Sequence, residues 1–258
     1  MCLISIAIEA HPEYPMIIAA NRDEFYSRPT SPLAFWDDNP EILAGKDLQS
    51  RGTWLGVTRS GKIAAVTNYR DPSSMTPRGE SRGQLVRAYL EKNARAEDYL
   101  AEVEKKRDRY TGFNLLAGDT RQMWWYSNKD GGIVKLSPGI HALSNHLLDT
   151  PWPKTETIKR KLHALITSSR IIEPHQLLDL MFDRTVPPDD SLPDTGVGLQ
   201  WERMLSPVFV ASPGYGTRSS SVVLVDNSGR LVFCERSFSL TENVPLPEQT
   251  RCFEILLT

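Results

Sequence analysis

The sequence predicts an α+β protein, a four-layer αββα sandwich of two stacked antiparallel sheets with helices on both outer faces. Three observations predict it. Strand-length apolar runs fall into antiparallel-looking groups joined by short polar turns. Two pairs of helical stretches divide those groups, which suits helices packed outside the sheets. The 258 residues, 40% of them hydrophobic and without an internal repeat or low-complexity segment, suit one large core. A single domain over residues 1–258 is expected.

The elements follow in chain order. Leu3 to Ile8 and Met16 to Ala20 are continuous apolar runs broken by His11-Pro12-Glu13-Tyr14-Pro15, which predicts paired buried strands. The prolines from Phe25 to Pro40 predict a long loop, with Phe35 and Trp36 packed on the core. Ile42 to Gly45 reads as a short strand, and Thr53 to Thr58 and Lys62 to Thr67 as two more, with Gly61 in the turn between them. Asp71 to Glu80 reads as a loop. Leu85, Val86, Tyr89 and Leu90 mark one helical face, and Tyr99, Leu100 and Val103 mark another. In the second of these helices, acidic Glu97 and Asp98 come early and Lys105, Lys106 and Arg107 late, as the helix dipole prefers.

Phe113 to Ala117 and Gln122 to Tyr126 predict a hairpin, followed by short strands at Ile133 to Leu136 and Ile140 to Leu143. Pro151-Trp152-Pro153 opens a helix to about Ile166, and a second helix spans His175 to Phe182. Asp183 to Gly198, rich in Pro and Asp, reads as a loop of the length that lids and specificity elements have. Pro207 to Ala211, Ser219 to Asp226 and Leu231 to Glu235 read as strands, and Cys252 to Leu257 as a terminal edge strand.

Composition excludes several functions. A formal net charge of −2 and a pI near 6.2 give no electrostatic basis for binding nucleic acid or an anionic membrane. No apolar run approaches the ~20 residues of a membrane span. No basic region precedes the first apolar run and Glu9 ends it early, so no signal peptide is expected. The three cysteines, Cys2, Cys234 and Cys252, are odd in number and lack metal-ligand spacing, as do the five histidines. That pattern reads as reduced thiols in the cytoplasm with no metal or cofactor. Gly214-Tyr215-Gly216 imitates a dinucleotide fingerprint but leads into a strand, so the helix N-terminus that would hold a pyrophosphate is missing.

The residues that suggest chemistry stand at the ends of strands, where backbone rigidity positions side chains well. Cys2 is small enough for Met1 to be removed, which would leave a thiol and a free α-amine on one residue. An α-amine with a pKa near ~7.7–8.0 can accept the thiol proton at neutral pH, so one residue would supply nucleophile and base. The second run ends in Asn21-Arg22-Asp23-Glu24, the Lys62 strand in Asn68-Tyr69-Arg70, and the Ile140 strand in Ser144-Asn145-His146. An amide-cleaving site needs a nucleophile, a base, an oxyanion donor and a group that fixes their geometry, and Cys2, Arg22, Asp23, Asn68, Asn145 and Arg218 are of those types.

Met1-Cys2 at the start, Asn21-Arg22-Asp23-Glu24, Trp54-Leu55-Gly56-Val57 and Thr67-Asn68-Tyr69-Arg70 together resemble the NRDE family, also called the Transport and Golgi organisation 2-like family, over nearly the whole chain. The resemblance implies the fold of the N-terminal nucleophile hydrolases. Penicillin acylases and bile-salt hydrolases of the N-terminal Cys class use a similar set. By that similarity Cys2 is the nucleophile, Asp23 orients its amine and Asn145 serves the oxyanion. Asn68 would line the pocket and Arg218 would set the field. Those hydrolases separate their Arg and Asp by two residues, whereas Arg22 and Asp23 are adjacent. Strand neighbours point to opposite faces, so Arg22 shares the site only if the chain bends; otherwise Glu24 is its structural partner. The implied function is an amidohydrolase cleaving a non-peptide C–N amide bond in a small amide or acyl ligand. The alternative is a non-catalytic haem or acyl-lipid trafficking protein on the same fold.

Overall fold

The computed structural model describes residues 2–72, 79–241 and 244–257. Two seven-stranded sheets form the centre. The first runs β10 (Gly139–Leu143), β1 (Cys2–Ile8), β2 (Met16–Phe25), β12 (Tyr215–Val225), β13 (Arg230–Thr241), β14 (Val244–Leu256), with the short β11 (Ala211–Ser212) on β12. The second is a meander of β3 (Thr30–Trp36), β4 (Asn39–Asp47), β5 (Leu55–Thr58), β6 (Lys62–Asn68), β7 (Phe113–Asp119), β8 (Met123–Ser127) and β9 (Ile133–Lys135). Every pairing is antiparallel.

The continuous apolar runs of β1 and β2 are explained by their surroundings, because both faces are covered. Ile4, Ile6, Ile8, Met16, Ile18 and Ala20 face the other sheet. Leu3, Ala7, Ile17 and Ala19 face α3 (Pro153–Ser168) and α4 (Pro174–Leu180), packing with Ile158, Leu162, Leu177 and Leu178. On the far side, α1 (Gly83–Glu91) and α2 (Ala96–Glu104) lay Leu85, Val86, Tyr89, Tyr99 and Leu100 on the second sheet. The four layers are as expected. Truncating a fully buried residue such as Ile18 to Ala should cost about 2–5 kcal/mol.

Four expectations are corrected. The stretch from Phe25 to Pro40 is mostly strand: it holds β3 and the start of β4. Pro32 is tolerated because β3 is an edge strand whose register slips between Ser31 and Ala34, so no ladder N–H is required there. The terminal strand is longer than Cys252 to Leu257, because β14 passes Pro247 at a similar register shift on an edge of the other sheet. Of Pro207 to Ala211, only Ala211 is strand, as the start of β11. Phe209 N–H donates to the Asp183 carbonyl at 2.8 Å and Val210 N–H to Thr217 Oγ1 at 2.9 Å, so these buried amides bond outside a ladder. It follows α5 (Leu199–Leu205), which the sequence reading did not anticipate. Finally, Cys234 and Cys252 are disulfide-bonded across the β13–β14 ladder, where they are direct partners, leaving Cys2 as the free thiol.

Candidate active site

β1 and β2 pair so that Cys2 lies directly opposite Arg22. Both therefore share the face that looks towards the other sheet. At this end the apolar filling stops and a cavity of about 780 Å³ opens, bordered by Cys2, Arg22, Asp23, Asn68 and Arg218 among others. Five of the six expected site residues thus border one cavity. Arg22 and Asp23 both border it, beside a register shift in the β2–β12 ladder where the partner passes from Ser219 to Thr217. Arg22 stands on the Cys2 face, with Glu24 Oε2 at 3.9 Å as its ionic partner.

Asp23 points the other way and is buried. Its Oδ1 accepts from Thr217 Oγ1 at 2.8 Å, and its carbonyl accepts from Tyr215 OH at 3.2 Å. Burial pushes its carboxyl above the usual range, and Lys154, the Thr217 hydroxyl and Arg70 pull it back. The Cys2 thiol is likewise pushed up, first by burial and then by Asp23 and Glu24, with Arg22 opposing.

Asn68 ends β6 and borders the cavity. Asn145 follows β10 and does not border it. It is fully buried, and its Nδ2 donates to the Asn68 carbonyl at 2.9 Å while its own carbonyl accepts the Arg70 N–H at 2.7 Å. Next to it, Ser144 Oγ donates to the Cys2 carbonyl at 3.3 Å, and Thr67 Oγ1 donates to the Ser144 carbonyl at 2.7 Å. These bonds clamp the ends of β1, β6 and β10 together across the two sheets. Arg218 sits where the β2–β12 register slips between Thr217 and Ser219, and its Nη1 lies 3.0–3.1 Å from the carbonyls of Phe25, Tyr26 and Arg28. It braces the chain leaving β2.

A cluster that the sequence reading did not single out lies behind Asp23. Arg70 Nη1 bonds Glu202 Oε2 at 2.6 Å, with both side chains almost wholly buried, and the guanidinium stacks 4.9 Å from the Trp152 ring. Lys154 is buried and donates from Nζ to the Leu205 carbonyl at 3.0 Å. Burial, helped by Arg70 and opposed by Asp23, lowers its pKa to about 8. Lys154 falls in the first turn of α3, the wrong end of a helix for a cation, and that misplaced charge was the one available sequence signal. No group of three or more His, Cys, Asp or Glu side chains that could hold a metal ion occurs among the described residues.

Comparison with known proteins agrees with this architecture. Residues 1–239 match the family described as Transport and Golgi organisation 2. The chain belongs to that family. A human relative, Transport and Golgi organization protein 2 homolog, is 36% identical, with 92% of this chain and 93% of the human protein covered. The Drosophila melanogaster protein Transport and Golgi organization protein 2 is 27% identical over 93% of each chain. Among solved structures, a conjugated bile acid hydrolase of Clostridium perfringens superposes with a TM-score of 0.51 over 98% of this chain and 92% of its own, at 8% identity. At that identity the likeness shows the fold, that of the N-terminal nucleophile hydrolases, and nothing finer.

Proposed function

We propose that this family member is an amidohydrolase that cleaves a non-peptide C–N amide bond with Cys2 as nucleophile. The observation that carries the reading is the free thiol of Cys2 at the mouth of a rigid strand, opposite Arg22 and bordering a polar cavity. Met1, whose removal would free the α-amine, lies outside the described residues. With the amine free, it takes the thiol proton and the sulfur attacks the amide carbon, forming an S–C bond and a tetrahedral oxyanion. The C–N bond then breaks as the ammonium returns its proton to the departing amine. Water, deprotonated by the same amine, attacks the thioester, releasing a carboxylic acid and the thiol.

Arg22 favours the thiolate, and Asp23 orients the amine from the strand's other face. Asn68, which borders the cavity, is better placed for the oxyanion than Asn145, whose amide is already bonded to the Asn68 carbonyl. Asn145 then acts by holding Asn68. Arg218 adds its charge to the cavity wall while bracing the loop. No observation favours haem or acyl-lipid carriage: among the described residues no histidine borders the cavity, and its wall is rich in charged groups.

The test begins with intact mass, where loss of Met1 is expected; a retained Met1 would block the amine and end the proposal. Cys2→Ala should then abolish labelling by a thiol-directed acylating probe and lower turnover of a responsive amide by ~10³-fold or more.

A further inference from the structure

We propose that Arg82 is the ligand-recognising residue of this cavity and that the substrate carries a carboxylate. The inference rests on the hydrolase reading of Cys2 and names a substrate class for it. The observation behind it is an uncommitted charge. Arg28 bonds Asp47 through Nε and Nη2 at 2.9 and 2.7 Å. Lys46 bonds Asp38 at 2.7 Å. Arg22 shares its charge with Glu24, and Arg218, though it keeps its charge, has its Nη1 donors taken up by three backbone carbonyls. Arg82 also borders the cavity, but its guanidinium makes one bond, from Nη1 to the Gly112 carbonyl at 3.1 Å, and has no carboxylate within ion-pair distance among the described residues. Glu24 and the Cys2 side chain lie close enough to act on it electrostatically, but neither is bonded to it.

The position of Arg82 is built in. It immediately precedes α1, whose first residue, Gly83, accepts the Thr53 N–H at 3.2 Å. A Cβ on Gly52 would lie 2.5 Å from the Gly83 carbonyl carbon, so the chain can approach this closely only at glycine. A cation before a helix start is unfavourable to the dipole, and an incoming anion would relieve it. A guanidinium with free donors on a fixed backbone matches the two oxygens of a carboxylate.

Two measurements on the full chain test this. First, Cys2 is alkylated with iodoacetate or iodoacetamide at one pH, and its adduct is quantified by peptide mapping; in each case sulfur displaces iodide from the methylene carbon. The rate ratio of the two reagents cancels any change in thiolate fraction. Arg82→Gln should lower the iodoacetate-to-iodoacetamide ratio by about fivefold or more, while Arg82→Lys keeps most of it. An unchanged ratio in Arg82→Gln overturns the proposal. Second, N-hexanoylglycine should raise the melting temperature of the Cys2→Ala protein more than its methyl ester does, and Arg82→Gln in that background should erase the difference. Equal shifts from acid and ester, or a difference that survives Arg82→Gln, overturn it. Because the second assay has no sulfur to react, carboxylate recognition without turnover would sink the hydrolase reading alone.

Discussion

The two faces of one strand end handle charge in opposite ways. On the face shared with Cys2, Arg22 and Arg28 stand 3.9 and 3.8 Å from Glu24, beside an open cavity. On the face shared with Asp23, Arg70 and Glu202 meet at 2.6 Å with side chains only 6% and 4% exposed, and Lys154 is buried nearby. Although Arg28 is also held by Asp47 at 2.7 Å, pairs near 4 Å beside a cavity are weak and adjustable, whereas close pairs out of water cannot lose one member without stranding the other. A nucleophile needs both conditions. Its open side must admit a ligand, and its sealed side must keep the carboxylate behind it from moving.

The largest expected effect tests the sealed side. Arg70→Met leaves the Glu202 carboxylate buried without its cation, and should cost about 3–5 kcal/mol in urea unfolding. Adding Glu202→Leu should recover much of that loss, because the stranded charge is gone. A cost under about 1 kcal/mol for Arg70→Met would mean that this face is as forgiving as the other.

The next effect concerns pH. Lys154 has a pKa of about 8 in the folded chain, below the ~10.4 of an unfolded lysine. Between those values the unfolded chain binds more protons, so this residue makes stability rise as pH increases and weakens the fold below pH 8. The full swing is about 3 kcal/mol, of which about half should appear between pH 8 and 9.5, before buried tyrosines titrate. Lys154→Met should flatten the rise of unfolding free energy over that window. An unchanged slope would show that Lys154 is not held in the low-dielectric cluster.

These contrasts also explain what could be read from the sequence. The paired strands were legible because burial on both faces demands unbroken apolar runs, as in Leu3 to Ile8. The ends of β6 and β10 were legible because polar residues interrupt their apolar runs at Asn68 and Ser144, whereas β2 continues through its polar residues to Phe25, past the end expected at Ala20. β3 and β14 were obscured by prolines that only an edge strand tolerates, and edge position depends on topology. The Cys234–Cys252 bond depends on register, which neither segment specifies alone. Asn145 looked like a free donor because its partner is a backbone carbonyl 77 residues away. The Arg70–Glu202 pair was not legible for the same reason: its members are 132 residues apart, and nothing local tells a buried ion pair from two solvated side chains.

The smallest effect sharpens the comparison from the open side. Glu24 pairs with Arg22 and Arg28 at distances near 4 Å and adds to the field that holds the Cys2 thiol up. Glu24→Gln should therefore cost less than about 1 kcal/mol of stability. It should also speed iodoacetamide labelling of Cys2 by a factor of roughly two to three at fixed pH, since removing a nearby negative charge raises the thiolate fraction. The pair of outcomes matters more than either one. A faster Cys2 with an unmoved unfolding midpoint means that this face tunes reactivity without supporting the fold. A slower Cys2 would mean that Glu24 acts mainly by holding Arg22 against the thiolate, and the open face would then be a second rigid support.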